Sequence, residues 1–267
     1  MKHLLAVLML IIGLNSFADD INLWKKSTLN AILQRGELRV GLEPGYLPFE
    51  MKDKKGRIIG FDVDIAKEMA KAMGVKLTIV PTAFDGIIAG LITDKFDIII
   101  AGMTITQSRN LKVNFSKPYM SVGQSIIAKK EFEGKSYKSL DKEGNVIVAK
   151  LGQTGEFAAR KMFKKATIKT FDTETEAVQE VMNGRATAFV NDKPYNAIFM
   201  IKKGQTGNIV HLDEDLTYEP LGIALRKGDP DFLNWIDNFL TQMRGDGMYE
   251  KIYDKWFKSD SWLKKVE

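Results

Sequence analysis

Cysteine is absent from all 267 residues. No disulfide can form, and no thioether lipid can be attached, so a Cys-linked lipid anchor is not expected. Histidine is nearly absent too: the chain has two, His3 and His211. Cys/His metal clusters and His-based nucleophilic triads therefore lack their parts. His211, in a polar stretch, reads as a surface residue. Glycine-rich phosphate loops are also missing. Gly152–Gly155 is not followed by Gly-Lys-Ser/Thr, and no GxGxxG fingerprint occurs. No apolar run reaches the roughly 20 residues that a bilayer span requires. An enzyme built on this chain would have to work with carboxylates, lysines or hydroxyls, and no metal or cofactor is expected.

What is present is an ordinary globular balance, 45% hydrophobic and 27% charged, in a chain long enough for two lobes. The net charge is +5, but the lysines are scattered as pairs (Lys25-Lys26, Lys54-Lys55, Lys129-Lys130, Lys164-Lys165) with acids between them. That pattern is a solvated surface and not a nucleic-acid stripe. At the N-terminus, Lys2 and His3 precede an apolar run, Leu4–Leu14, and Ser16-Phe17-Ala18 supplies small residues for cleavage. Residues 1–18 therefore read as a signal peptide. The mature chain is expected to begin near Asp19, exported and unanchored, which fits a periplasm.

Along the mature chain, strands alternate with helices. Ser27–Gly36 reads as a capped helix, Glu37–Leu42 as a strand, Phe61–Met73 as an amphipathic helix ended by Gly74, Val75–Val80 as a strand, Gly86–Leu91 as a helix and Phe96–Ala101 as a strand. A second series runs from strand Val146–Leu151 through helix Glu156–Phe163, strand Thr167–Phe171 and helix Glu174–Asn183 to strand Ala186–Val190. Alternation of this kind predicts parallel sheets covered by helices. Gln124–Lys130 and Leu221–Lys227 read as extended connectors between the two series, and Asp231–Arg244 and Tyr249–Phe257 as closing helices. The fold expected is α/β and two-lobed: residues 19–125 with 225–267 in one lobe, 126–224 in the other, and a cleft between the carboxyl ends of both sheets, where open α/β sheets bind ligands.

The most informative segment is Phe96–Tyr119. A buried strand leads into the small-residue loop Gly102–Thr106, and Thr106 is a good N-cap for a helix that carries Arg109 in its first turn. Unpaired amides, a helix dipole and a forked guanidinium together suit a small carboxylate. On local grounds alone, Arg109 could equally lie on an ordinary surface helix.

Six motifs in order resemble the periplasmic solute-binding proteins that deliver polar amino acids to ABC importers. They are GFDVDIAKEMAKAMG (Gly60–Gly74), AFDGIIAGL (Ala83–Leu91), AGMTITQSR (Ala101–Arg109), VNFSKPY (Val113–Tyr119), GQTGE (Gly152–Glu156) and VND (Val190–Asp192). The resemblance covers essentially the whole mature chain and implies the periplasmic binding protein fold, with two hinge crossovers. It implies that Arg109 holds the ligand α-carboxylate, with Gly102, Met103 and Thr104 beside it. Asp192 would pair with the α-ammonium, and Gln153 and Thr154 would meet the ligand from the second lobe. Tyr46 and Phe84 would flank the side chain, with Glu43 near its tip. Position 102 is Gly where several relatives carry Ser, and position 153 is Gln where Ser or Thr is common. Plainer readings stand beside these: Asp192 as a helix N-cap, Tyr46, Phe49 and Phe84 as core aromatics, and Thr154 as part of an ordinary turn.

Glu43 together with two stacking rings points first to lysine or arginine, and leaves glutamine or histidine open. The implied partners are the amino acid and an inner-membrane ABC permease, with the protein acting as a monomer. An alternative from the same family is an exported dehydratase acting on prephenate or arogenate. It would need a protonated carboxyl group, with Glu156, Glu43 and Asp192 as candidates. A detached sensor domain is a third reading.

Overall fold

A computed structural model describes residues 27–203 and 208–266 of the chain; the leader expected at residues 1–18 lies outside them. The first part runs α1 (Thr28–Arg35), β1 (Glu37–Leu42), β2 (Met51–Lys52), β3 (Ile58–Ile59), α2 (Phe61–Met73), β4 (Lys76–Pro81), α3 (Phe84–Ile92), β5 (Ile98–Ile99), α4 (Gln107–Asn110) and β6 (Asn114–Phe115). After β7 (Met120–Val122) come β8 (Gln124–Lys129), β9 (Val146–Lys150), α5 (Thr154–Met162), β10 (Thr167–Phe171), α6 (Glu174–Met182), β11 (Ala188–Asp192), α7 (Lys193–Lys203) and β12 (Ile209–Leu212). The chain closes with β13 (Glu219–Leu221), β14 (Ala224–Leu225), α8 (Pro230–Gly245), α9 (Met248–Tyr253), a π-helical turn at Asp254–Lys258 and α10 (Leu263–Val266).

Two five-stranded sheets result. Their orders are β4-β1-β5-β14-β6 and β10-β9-β11-β8-β12. In each sheet the first three strands are parallel and the strand after them is antiparallel. The two orders match position for position, so the lobes are built alike. Between them, β7 and β13 pair as a two-stranded antiparallel ribbon. The chain therefore crosses at Met120–Val122 and Glu219–Leu221, earlier than the stretches read as connectors. Gln124–Lys129 is instead an inner strand of the second sheet, and Ile126, Ile127 and Ala128 in it are wholly buried. Burial on both faces gives a continuous apolar run, which by sequence alone looks the same as a linker between lobes.

Helix boundaries follow their chemistry. Phe61–Met73 buries Phe61, Val63, Ile65, Ala66, Met69 and Ala70 along one face, and Gly74 ends it at φ 68°, a left-handed turn that glycine adopts without strain. Ser27 occupies the N-cap position of α1, but its hydroxyl donates to Asp229 (3.1 Å). Asp229 also accepts the amide of Thr28 and caps its own helix through the amide of Phe232 (3.1 Å). One carboxylate thus stitches the first helix to α8. Trp256 and Lys255 in the π-helical turn both donate to Asp64 at the start of α2, so the closing helices return to the first sheet. His211 lies on β12 and not in a surface loop; its Nε2 is 2.8 Å from the Ser125 hydroxyl.

Candidate functional site

The loop after β5 is held from two sides. On one side, Asp62 in the first turn of α2 accepts the Gly102 amide (2.6 Å) and the Tyr119 hydroxyl (2.9 Å). On the other, the Ile105 amide donates to Pro220 (2.7 Å) and the Gly222 amide to Met103 (3.0 Å), while Thr104 bridges to Leu221. The loop is therefore hydrogen-bonded to the hinge ribbon itself. Gly102 has φ 53°, and a Cβ there would stand 2.3 Å from the Tyr46 ring. A serine at this position would have to displace the tyrosine ring packed against it.

Behind the loop lies an unusual pair of acids. Glu50 and Asp62 are 1% and 0% exposed, and each carboxyl group acts on the titration of the other. Burial pushes Asp62 up to about 7, against the pull of the Gly102 amide and the Tyr119 hydroxyl. Burial, and then the adjacent Asp62 charge, holds Glu50 well above the usual carboxylate range. Glu50 Oε2 and Asp62 Oδ1 are buried without a hydrogen-bond partner, and a proton held between the two acids would give each of them one.

Thr106 caps α4 by accepting the Arg109 amide (3.1 Å). This turn aims the Arg109 side chain into the cleft, where Nη1 donates to Thr104 O (2.8 Å) and Nη2 to Gly152 O of the opposite lobe (3.1 Å). The guanidinium lies 5.3 Å from the Phe84 ring centroid. Burial lowers its pKa to about 10, with the Glu219 and Asp192 charges pulling the other way, so it stays charged at neutral pH. Arg109 is buried and is not the surface residue that its helix alone allowed.

The second lobe brings polar groups to meet it. Asp192 ends β11, Gln124 begins β8 and Thr154 opens α5. Thr154 Oγ1 is 3.4 Å from Thr104 Oγ1 and accepts from Gln124 Nε2 (3.2 Å). Asp192 accepts from the Tyr46 hydroxyl across the cleft and from Gln124 beside it. Burial raises Asp192 to about 7; the Tyr46 hydroxyl opposes this, and the Glu219 and Glu174 charges reinforce it. Tyr46 stacks on Phe49 (4.7 Å, 8°) and Tyr195 (6.0 Å, 11°). One ring thus spans both lobes while its hydroxyl reaches Asp192.

A second polar cluster sits farther from the hinge. Glu43, just past β1, accepts the Phe84 amide (2.8 Å) and the Lys150 ammonium (2.6 Å). Lys150 also donates to both oxygens of Glu174 (3.2 and 3.1 Å), and Gln153 Nε2 donates to the same carboxylate (2.8 Å). Lys150 and Glu174 are 4% and 2% exposed. Burial alone would depress the Lys150 ammonium, but Glu174 and Glu43 together hold it above its ordinary value. The ammonium lies 5.7 Å from the Phe84 centroid, on a ring that also carries Arg109. A pocket of about 220 Å³, lined in part by Glu43, Phe84, Asp85, Lys150 and Asp172, opens here.

Of the residues singled out in the sequence, Tyr46, Thr104, Arg109, Thr154 and Asp192 join one connected set. Glu43, Phe84 and Gln153 join the neighbouring cluster. Gly102 supplies backbone. The Met103 side chain lies in the apolar core with Leu42 and Val113, and only its carbonyl faces the hinge. Glu156 accepts the Gly152 amide (2.9 Å) and Arg160 Nε (2.9 Å); both of its oxygens are occupied by donors. Sequence reasoning passed over Lys150, Glu174, Gln124 and Glu219. Lys150 and Glu174 carried a usable signal: one ends a parallel strand and the other opens the helix after a parallel strand, so both lie at the carboxyl edge of the sheet.

Residues 38–259 match the family model for bacterial extracellular solute-binding proteins, family 3. A crystal structure of a binding component of an ABC transporter from Wolinella succinogenes, complexed with lysine, is 63% identical; the match covers 86% of this chain and all of that one, with a TM-score of 0.84. The ancestral amino-acid-binding protein AncCDT-1, a precursor of cyclohexadienyl dehydratase, is 49% identical over 86% of this chain and all of its own, with a TM-score of 0.82. The L-cystine-binding protein TcyJ of Escherichia coli is 32% identical over 93% of this chain and 90% of its own. Two lobes, two crossovers and polar side chains converging between the lobes are thus features of a fold already solved with ligand in place, and this chain belongs to the bacterial extracellular solute-binding proteins, family 3.

Proposed function

We infer that the protein captures a cationic amino acid, lysine or arginine, between its lobes and presents it to an ABC permease. The observation that carries this reading is the charge count at the outer cluster. Two carboxylates, Glu43 and Glu174, share a single ammonium, Lys150. The cluster is short of one positive charge, and a ligand ending in an ammonium or guanidinium supplies it. The inner set suits the other end of the same molecule. Arg109 with Thr104 and Thr154 takes the α-carboxylate, Asp192 takes the α-ammonium, and Tyr46 and Phe84 flank the stem. Contacts to Thr154, Gln124 and Asp192 form only when the second lobe closes, so the ligand favours closure. A clamp of this kind fits an affinity of roughly 0.1–10 μM, about 7–10 kcal/mol.

The rest of the reading follows the same family. Residues 1–18 are removed on export near Ala18, and the protein works in the periplasm as a monomer. The chain before the Met120–Val122 crossover, together with the chain after Glu219–Leu221, forms the lobe that receives the ligand, and the segment between the two crossovers forms the lobe that closes on it. The protein on this reading binds without turnover: of the three candidate acids, Glu156 is occupied by the Gly152 amide and Arg160, and Glu43 and Asp192 are taken up by the cationic groups of the ligand.

The test is thermal melting of refolded, ligand-stripped protein against the twenty amino acids plus prephenate and arogenate. A ligand at 100 times its dissociation constant stabilises by about 2.7 kcal/mol. A selective rise with lysine or arginine is expected. No response to any amino acid, with consumption of prephenate or arogenate, would replace this reading with the enzyme.

A further inference from the structure

The Lys150–Glu43 contact joins the two lobes, and its position gives it leverage. The hinge ribbon leads into β8 and β14, toward one side of each sheet. Glu43 follows β1 and Lys150 ends β9, the second strand from the opposite edge in each sheet. This ion pair therefore ties the cleft on the side remote from its axis, where a small rotation produces the largest separation. Its partner Glu174 is on the same lobe as Lys150, so opening the cleft breaks only the bond to Glu43. The lysine is itself nearly wholly buried between two carboxylates and against an aromatic ring.

We propose that Lys150 is a tethered cation that latches the mouth of the cleft through Glu43, on the same carboxylates that read the side chain of a cationic ligand. In the closed protein without added ligand, the chain's own ammonium holds the lobes together. When a lysine or arginine side chain enters, its charge takes up the share of Glu43 and Glu174 that Lys150 leaves unbalanced. Lys150 then helps to set specificity: it neutralises one of the two acids, so one added positive charge completes the cluster and a second is repelled. The role in ligand reading rests on the cationic-ligand proposal above; the latch does not.

The absence of native cysteine makes the latch directly measurable. Spin labels on Lys76→Cys and Lys169→Cys, exposed on the outer edge strands β4 and β10, report the separation of the lobes on the side remote from the hinge. In the ligand-stripped protein, Lys150→Met is expected to shift the distance distribution outward, raising the open fraction by roughly tenfold, the effect of losing one charge-assisted hydrogen bond. Glu43→Gln, which leaves the buried Lys150–Glu174 pair intact, should shift it the same way, and Lys150→Arg should restore the short distance. Saturating lysine should close Lys150→Met as fully as the parent. Unchanged ligand-free distances in both Lys150→Met and Glu43→Gln would overturn the latch. A Lys150→Met protein that stays open in lysine, while the parent closes, would overturn the reading of these same carboxylates by the ligand cation. If no amino acid closes even the parent, the cationic-ligand reading falls, while the ligand-free comparison still decides the latch.

Discussion

Replacing Asp62 with asparagine should make the protein less sensitive to alkaline pH. Asp62 is wholly buried and its pKa is pushed up to about 7, so the folded state holds a proton that the unfolded chain releases near pH 4. Between those values the folded protein binds more protons than the unfolded one, and stability must fall as pH rises. The contribution is fully present below about pH 4 and is lost as pH passes through 7. At about 1.4 kcal/mol per pH unit the whole effect is about 4 kcal/mol, of which about 3 falls between pH 5 and 8. Such a loss is large beside a typical total of about 5–15 kcal/mol. Asparagine keeps an acceptor for the Gly102 amide and the Tyr119 hydroxyl, and offers Glu50 a donor that never titrates. Urea unfolding of ligand-stripped protein at pH 5, 6, 7 and 8 measures the difference. Asp192, and Glu50 through its own burial, contribute slopes of the same sign, so the quantity to read is parent minus Asp62→Asn. Parallel pH profiles for the two proteins would refute the shared proton.

Other perturbations address the cleft itself. Arg109→Ala should cost several kcal/mol of ligand affinity by stranding a carboxylate in a dry site, and unchanged affinity by titration calorimetry would remove Arg109 from the site. Because Asp192 is raised to about 7 in the free protein, binding of an α-ammonium should weaken by about tenfold per pH unit below that value. Asp192→Asn should bind more weakly, show no such slope, and melt close to the parent when ligand-free; a large loss of stability would instead mark Asp192 as a helix cap. Gly102→Ser should lower stability by about 1–2 kcal/mol from its left-handed backbone alone, and affinity further by displacing Tyr46. A variant with parental affinity would show that the Tyr46 ring does not need that space.

Much of this was legible from residue order. The helix at Phe61–Met73 and the strand at Thr167–Phe171 were readable to the residue, because each carries an unbroken periodicity and ends on clear signals. The strand expected over Phe96–Ala101 pairs only at Ile98–Ile99, although all six residues are buried; apolarity reports burial, and pairing depends on neighbours that the local sequence does not name. The same limit explains Gln124–Lys129, an inner strand that reads as a connector. In the cleft, Arg109 stood out because a forked cation after a cap is a local pattern, whereas Asp192 entered through the family resemblance, its local pattern being that of a helix cap. Lys150, Glu174 and Gln124 did not, because their meaning lies in one another: Lys150 gains its role from Glu43, 107 residues away in the chain.

The loop that presents Thr104 shares a hydrogen-bonded ladder with Leu221 and Gly222 of the returning crossover. Pivot and platform are in that sense one rigid part, and a molecule resting on Thr104 and Arg109 rests on the axle of the machine. Its position then need not change as the other half swings. What varies during the swing is whether Thr154, Gln124 and Asp192 arrive, and Lys150 with them, so on the proposed reading the protein weighs a candidate on a fixed pan before committing the moving arm.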